Sequence, residues 1–130
     1  MSIPALNTAL YSKLGGTATN AGTAVFFEVA PDSHPLPFIL WDYVADQYDN
    51  ETPVDTVNSV VFVRAYAATS AAAGTIDGQI KGLLHKATLT VTGFTNFQTR
   101  RENAYSLEET DKSGRKTFMA GAEYRVRLSE

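Results

Sequence analysis

The chain is expected to fold as a single α+β domain, and three observations lead there. Two segments carry apolar residues at helical spacing, around Leu6–Leu14 and Ala72–Leu84. Two others, Phe38–Val44 and Val57–Ala67, are apolar on both faces of an extended chain. The last segment, Thr117–Leu128, sets Phe118, Ala120, Ala122, Tyr124, Val126 and Leu128 on one face and Glu123, Arg125 and Arg127 on the other, as a strand with one wet face does. The resulting order is α-β-β-β-α-β-β-β over residues 1–130, a mainly antiparallel sheet packed by two helices. A C-terminal hairpin projects from it.

Each element has a local reason. Ser2 is a plausible N-cap and Pro4 sits in the first turn, where a missing N–H costs nothing. Leu6, Leu10 and Leu14 then share one helix face behind Ile3, and Gly15-Gly16 stops the helix. After a Thr/Gly/Asn/Ala stretch comes a strand at Thr23–Val29, with Val25, Phe27 and Val29 on one face. Pro31, Pro35 and Pro37 fix φ and remove donors, so the approach to Phe38 is extended. Beyond it Phe38, Leu40 and Val44 point one way, and Ile39, Trp41 and Tyr43 the other. A strand coated on both faces needs cover on both, from its own chain or from another.

Residues 46–56 read as an acidic loop around Pro53. Strand three, Val57–Ala67, sets Val57, Val61 and Val63 against Val60, Phe62 and Tyr66. The second helix, Ser70–Lys86, buries Ala72, Ala73, Ile76, Ile80, Leu83 and Leu84, and wets Asp77, Gln79, Lys81 and Lys86. Gly78 and Gly82 weaken it by about 1 kcal/mol each, which suggests close approach to a sheet or a neighbour. His85 and Lys86 supply positive charge at its C-terminal end. Leu89–Val91 is a short strand, and Phe94 and Phe97 anchor the connection after it. The hairpin pairs Asn103–Thr110 with Thr117–Leu128 over an Asp111–Gly114 turn.

At 130 residues the chain buries roughly two thirds of its unfolded surface, enough for one modest core. Its 44% apolar and 19% charged content excludes a disordered chain. No apolar run approaches the roughly 18 residues of a membrane span, and no basic region precedes an apolar stretch as in a signal peptide. Without cysteine there is no disulfide framework and no thiolate chemistry. Charge is split along the chain. Residues 1–63 hold one base, Lys13, against seven acids, whereas residues 64–130 hold ten bases against seven acids. Copies of such a chain can stack head to tail, acidic patch on basic patch.

Sites of chemistry are hard to find. Asp42, Asp46, Asp49, Glu51 and Asp55 lack the alternate spacing and central glycine of a calcium loop, and read as a solvated face. His34 and His85 have no second ligand at metal spacing. No serine stands in a nucleophile setting, and Gly15-Gly16 follows a helix and lacks the Lys-Ser/Thr of a phosphate cradle. No catalytic residue, metal site or cofactor is expected. The basic clusters, Arg100-Arg101 and the Lys112, Arg115, Lys116 tip, suit an acidic protein neighbour better than nucleic acid in an acidic chain. Tyr11, Tyr48 and Tyr105 fall outside the periodic core, where interface tyrosines are found. Candidate contact residues are therefore Asp46, Tyr48, Asp49, Glu51, Asp55, Arg100, Arg101, Tyr105, Lys112, Arg115 and Lys116.

In the order and spacing of its motifs the chain resembles the tail-completion, or tail-to-head joining, proteins of long-tailed bacteriophages. The likeness lies in the leucine helix, Ala30-Pro31, the Pro37-Phe38-Ile39 strand opening, the valine-rich strand and the helix closing on Leu83-Leu84-His85. Phe38 stands where the family more often has tyrosine. The resemblance implies a non-enzymatic virion protein of the tail or neck, assembled in the host cytoplasm. It would form a ring, commonly of six, that terminates the tail tube and joins it to the head connector. Its partners would be itself, the tube protein and the connector or neck proteins, with DNA passing through the bore unrecognised and no membrane involved. Two alternatives stand beside it: a neck or head-completion subunit, and a monomeric α+β domain binding a small ligand.

Overall fold

The computed structural model describes residues 4–30, 34–49, 56–110 and 114–129, the side chains of 45–49 excepted. The elements are α1 (Pro4–Leu14), β1 (Val25–Phe27), β2 (Phe38–Asp49), β3 (Thr56–Ala67), α2 (Ser70–Leu84), β4 (Thr95–Thr110) and β5 (Lys116–Ser129). They form one five-stranded sheet in the order β1-β2-β3-β5-β4. β1 pairs parallel to β2, and every other pairing is antiparallel. The α+β class and the order of these elements are as the sequence predicts, apart from the short strand expected at Leu89–Val91.

Both helices cover one face. Leu6, Leu10 and Leu14 of α1 and Ile76, Ile80 and Leu84 of α2 pack onto Ile39, Trp41, Val57, Val61, Val63, Tyr124, Val126 and Leu128, while Ala73 packs with Ala67 and Ala120. Burying each large side chain contributes roughly 1.5–3 kcal/mol. α1 ends where Gly16 adopts φ +72°, a left-handed turn open to glycine at little cost. The α1–β1 connection is tied to α2 by a reciprocal amide pair. Asn20 N–H donates to Gln79 Oε1 at 2.8 Å, and Gln79 Nε2 donates to Asn20 Oδ1 at 3.2 Å.

Among the described residues the opposite face carries an apolar cluster at one end, formed by the chain itself. Phe38, Tyr66 and Met119 form a second cluster, with Phe26, Leu36, Leu40 and Phe62 packed against it. The segment before β2 folds over it through a cis Leu36–Pro37 bond, and the His34 ring stands edge-on to Phe26 at 4.8 Å. The two-faced character of β2 and β3 is thus answered inside the chain at this end. At the margin of this cluster Phe62 meets Tyr105, ring centroids 5.4 Å apart, with the Arg64 guanidinium 4.9 Å over Phe62.

Several local expectations are corrected. Leu89–Val91 is extended and buried but not a strand. The Leu89 N–H is satisfied by the buried Asn96 side chain at 2.7 Å, not by a ladder partner. β4 begins at Thr95 instead of Asn103, because β5 offers pairing back to Ser129. β1 stops at Phe27, since Glu28 turns left-handed at φ 67°, and Val29 leaves the buried face to be 75% exposed. Ala72 lies exposed beside the α2 stripe, while Asp77 lies at its inner margin. Gly78 and Gly82 do not approach the sheet, for no described residue lies within 4 Å of where their Cβ atoms would be. β5 is paired on both sides from Phe118 to Ser129, so little of the hairpin besides its end stands clear of β3.

Candidate functional site

The densest polar constellation lies under α2. Arg101 Nη1 and Nη2 donate to Asp77 Oδ1 and Oδ2 at 3.0 and 2.8 Å, and Nη1 also donates to Tyr124 Oη at 2.9 Å. Each of the two charged side chains is only 15% exposed. The bond to Asp77 holds Arg101 well above the usual guanidinium range, against the opposing cost of burial. Burial pushes the Tyr124 hydroxyl up, and Arg101 pulls against it. The carboxylate is occupied by a two-pronged cation, so it has no free base to offer a reactant. This constellation clamps α2 to β4 and β5.

His85 caps α2, and its N–H closes back onto Lys81 O. Its Nδ1 accepts the Arg101 backbone N–H at 3.0 Å. Desolvation lowers its pKa, as do the bases Lys86, Lys81, Arg100 and Arg101 around it. The sequence suggests a helix-end cation; the structure makes it a neutral acceptor. Asp77 likewise belongs to the wet face by sequence, and its partner 24 residues away explains why it turns inward.

The contact residues named from sequence separate into groups. Asp46, Tyr48 and Asp49 lie on β2 opposite Ser59, Val57 and Thr56. Glu51, Asp55 and Lys112 are outside the described residues. Arg101 is committed internally. Arg115 Nη1 donates to His34 O at 2.9 Å, which ties the hairpin end to the segment before β2. Lys116 pairs loosely with Glu108 at 3.5 Å. Arg100 and Tyr105 are exposed on β4, the edge strand. From Glu102 to Glu108 every β4 side chain is exposed. Phe97 is exposed too, where the sequence suggests an anchor in the connection.

Among the described residues no group of three or more His, Cys, Asp or Glu is placed to hold a metal. No described helix is long and apolar enough to cross a membrane. Two clefts flank α1. One of about 600 Å³ runs between α1 and Thr88–Thr92, and one of about 320 Å³ between α1, Phe27 and Trp41. The surface offers contact area, an unpaired strand edge and grooves at the flanks.

A fold of this kind is found in a virion subunit. Among solved structures it is similar to a chain of the "Virion of native gene transfer agent (GTA) particle", with a TM-score of 0.74 over 98% of this chain and 96% of that one at 16% identity. The search of the curated proteins finds no match. The model of the family "Tail completion protein gp17" matches residues 4–129, and the chain belongs to that family. It is a structural protein of the phage virion tail.

Proposed function

We propose that copies of the protein close into a ring, six in number by analogy with the family it resembles, at the head-proximal end of the tail. The ring ends the tail tube there and joins it to the head connector. It acts by shape and self-association without turnover, and genomic DNA passes its bore without sequence recognition. The observation that carries this reading is that the two flanks of the sheet are unlike. β4 is an unpaired edge with exposed Tyr105 and Leu107, whereas the other flank is a three-residue β1 beside α1. Unlike surfaces joined head to tail make a ring when the rotation closes.

Light scattering after size exclusion tests it, at low and at high salt, with and without the tail tube protein. A closed oligomer is expected, either from the protein alone or on adding tube protein. A monomer under all four conditions, unresponsive also to connector protein, would overturn the reading.

A further inference from the structure

The fold leaves two sets of residues unexplained, and they lie on opposite flanks of the sheet. On the β1 flank, the groove of about 320 Å³ is lined by Tyr11 of α1, Phe27 of β1 and Trp41 of β2. Trp41 is 1% exposed, yet its Nε1–H has no hydrogen-bond acceptor among the described residues. The donor is covered within the subunit, so it marks a strained packing of the groove floor and not a contact point. Next to Phe27 is Glu28, exposed and held at φ 67°. A non-glycine residue is rarely held there, and this carboxylate has no partner among the described residues.

On the β4 flank the features are the converse. Phe97 is the extra residue of a bulge between Asn96 and Gln98. Bulges re-aim side chains, and this one leaves Phe97 49% exposed with the Arg127 guanidinium 4.9 Å over its ring. Around it are Lys86 and Arg100, both exposed and without a side-chain partner among the described residues. Lys86 too is left-handed, at φ 62°, its N–H donating to Thr99 O at 2.8 Å. One flank is an aromatic groove with an acidic rim; the other is an aromatic knob with a basic rim.

We propose that Phe97 of one copy seats in the Tyr11–Phe27–Trp41 groove of the next, with Glu28 of that copy facing Lys86 and Arg100. Charge complementarity argues for a second copy as the occupant. So does position, since knob and groove on opposite flanks repeat head to tail. The inference rests on the ring reading and names the surfaces that make it.

The test uses two full-length variants altered at exposed positions, Phe97→Asp to spoil the knob and Tyr11→Arg to spoil the groove. Circular dichroism checks that each remains folded. Each alone is expected to raise the ring's dissociation midpoint at least about a hundredfold. Mixed in equal amounts they are expected to give one-to-one dimers and stop, because one sound contact remains per pair. A second arm reverses the charges. Glu28→Lys alone weakens the ring, and adding Lys86→Glu and Arg100→Glu to the same chain restores it. Intact rings from either single variant would overturn the docking while leaving the ring reading in place. Loss of tube-protein binding with rings intact would also overturn it, by giving the groove to the tube. A wild-type chain that never oligomerises would instead fail the ring reading itself.

Discussion

β5 and β4 are arms of one hairpin and share a ladder from Thr95↔Ser129 to Thr110↔Lys116, yet they play opposite parts. β5 lies between two strands and buries Ala122, Tyr124, Val126 and Leu128 under the helices. β4 has one partner, and its exposure changes along its length. Up to Arg101 it alternates, with Asn96 and Thr99 buried; past the irregularity between Arg101 and Ala104 it faces solvent through Glu108. A hydrogen-bonded ladder therefore does not by itself make a core strand. What lies on the far side of each strand decides whether its side chains hold the fold or meet a partner.

The inward half of β4 should give the largest effect. Asp77→Ala strips Arg101 of its carboxylate and leaves a mostly buried guanidinium with Tyr124 as its main remaining side-chain partner. Removing one member of a buried pair costs about 3 kcal/mol or more. Urea unfolding should show that loss, and a change under about 1 kcal/mol would make the clamp incidental.

Gly121 and Tyr105 stand directly opposite each other and sharpen the contrast within one register pair. A Cβ on Gly121 would lie 2.5 Å from Val63 O and 2.8 Å from Arg64 Cα, backbone atoms that cannot step aside. Gly121→Ala should therefore cost about 2 kcal/mol, by forcing β3 and β5 apart. Tyr105→Ser removes a ring 45% exposed and in contact with Phe62, and should cost about 0.5 kcal/mol in the isolated subunit. Equal losses at the two positions would erase the distinction between core strand and surface strand.

This division bears on how much of the structure the sequence reveals. The alternation of β5 and the leucine spacing of α1 are visible because each side chain's fate follows from its position in one element. β4 is different. Its first half is held by Asn96, whose side chain accepts from Leu89 N–H and Thr99 Oγ1 and donates to Gln98 O and Arg127 O. No period marks such a hub, so the strand looks shorter than it is and Leu89–Val91 looks like a strand. Arg101 looks like half of a basic surface pair because its acid lies on another element. Arg100 is legible as a surface residue because nothing distant among the described residues claims it, and Tyr105 stays largely exposed although its ring meets Phe62. The knob and groove stay hidden for the same reason as the hub: they depend on a bulge and on two left-handed residues.

The smallest effect tests the seam between α2 and the inward half of β4. His85 Nδ1 can accept the Arg101 N–H only while unprotonated, and its pKa is lowered in the folded chain by desolvation and by the surrounding Lys86, Lys81, Arg100 and Arg101. The unfolded chain, with an ordinary histidine near about 6.5, then binds more protons than the folded one just below that pH. Stability contributed by the neutral ring is complete above about pH 6.5 and is lost as pH falls toward the lowered folded value. His85→Asn keeps an acceptor but removes the titration, so it should flatten that part of the profile without shifting stability much at pH 8. Every other titratable group is common to both chains, so the difference between the two profiles isolates the ring. If wild type and variant fall in parallel between pH 7 and pH 5, the His85–Arg101 contact does not carry the seam. The clamp from Asp77 would then hold α2 to β4 unaided.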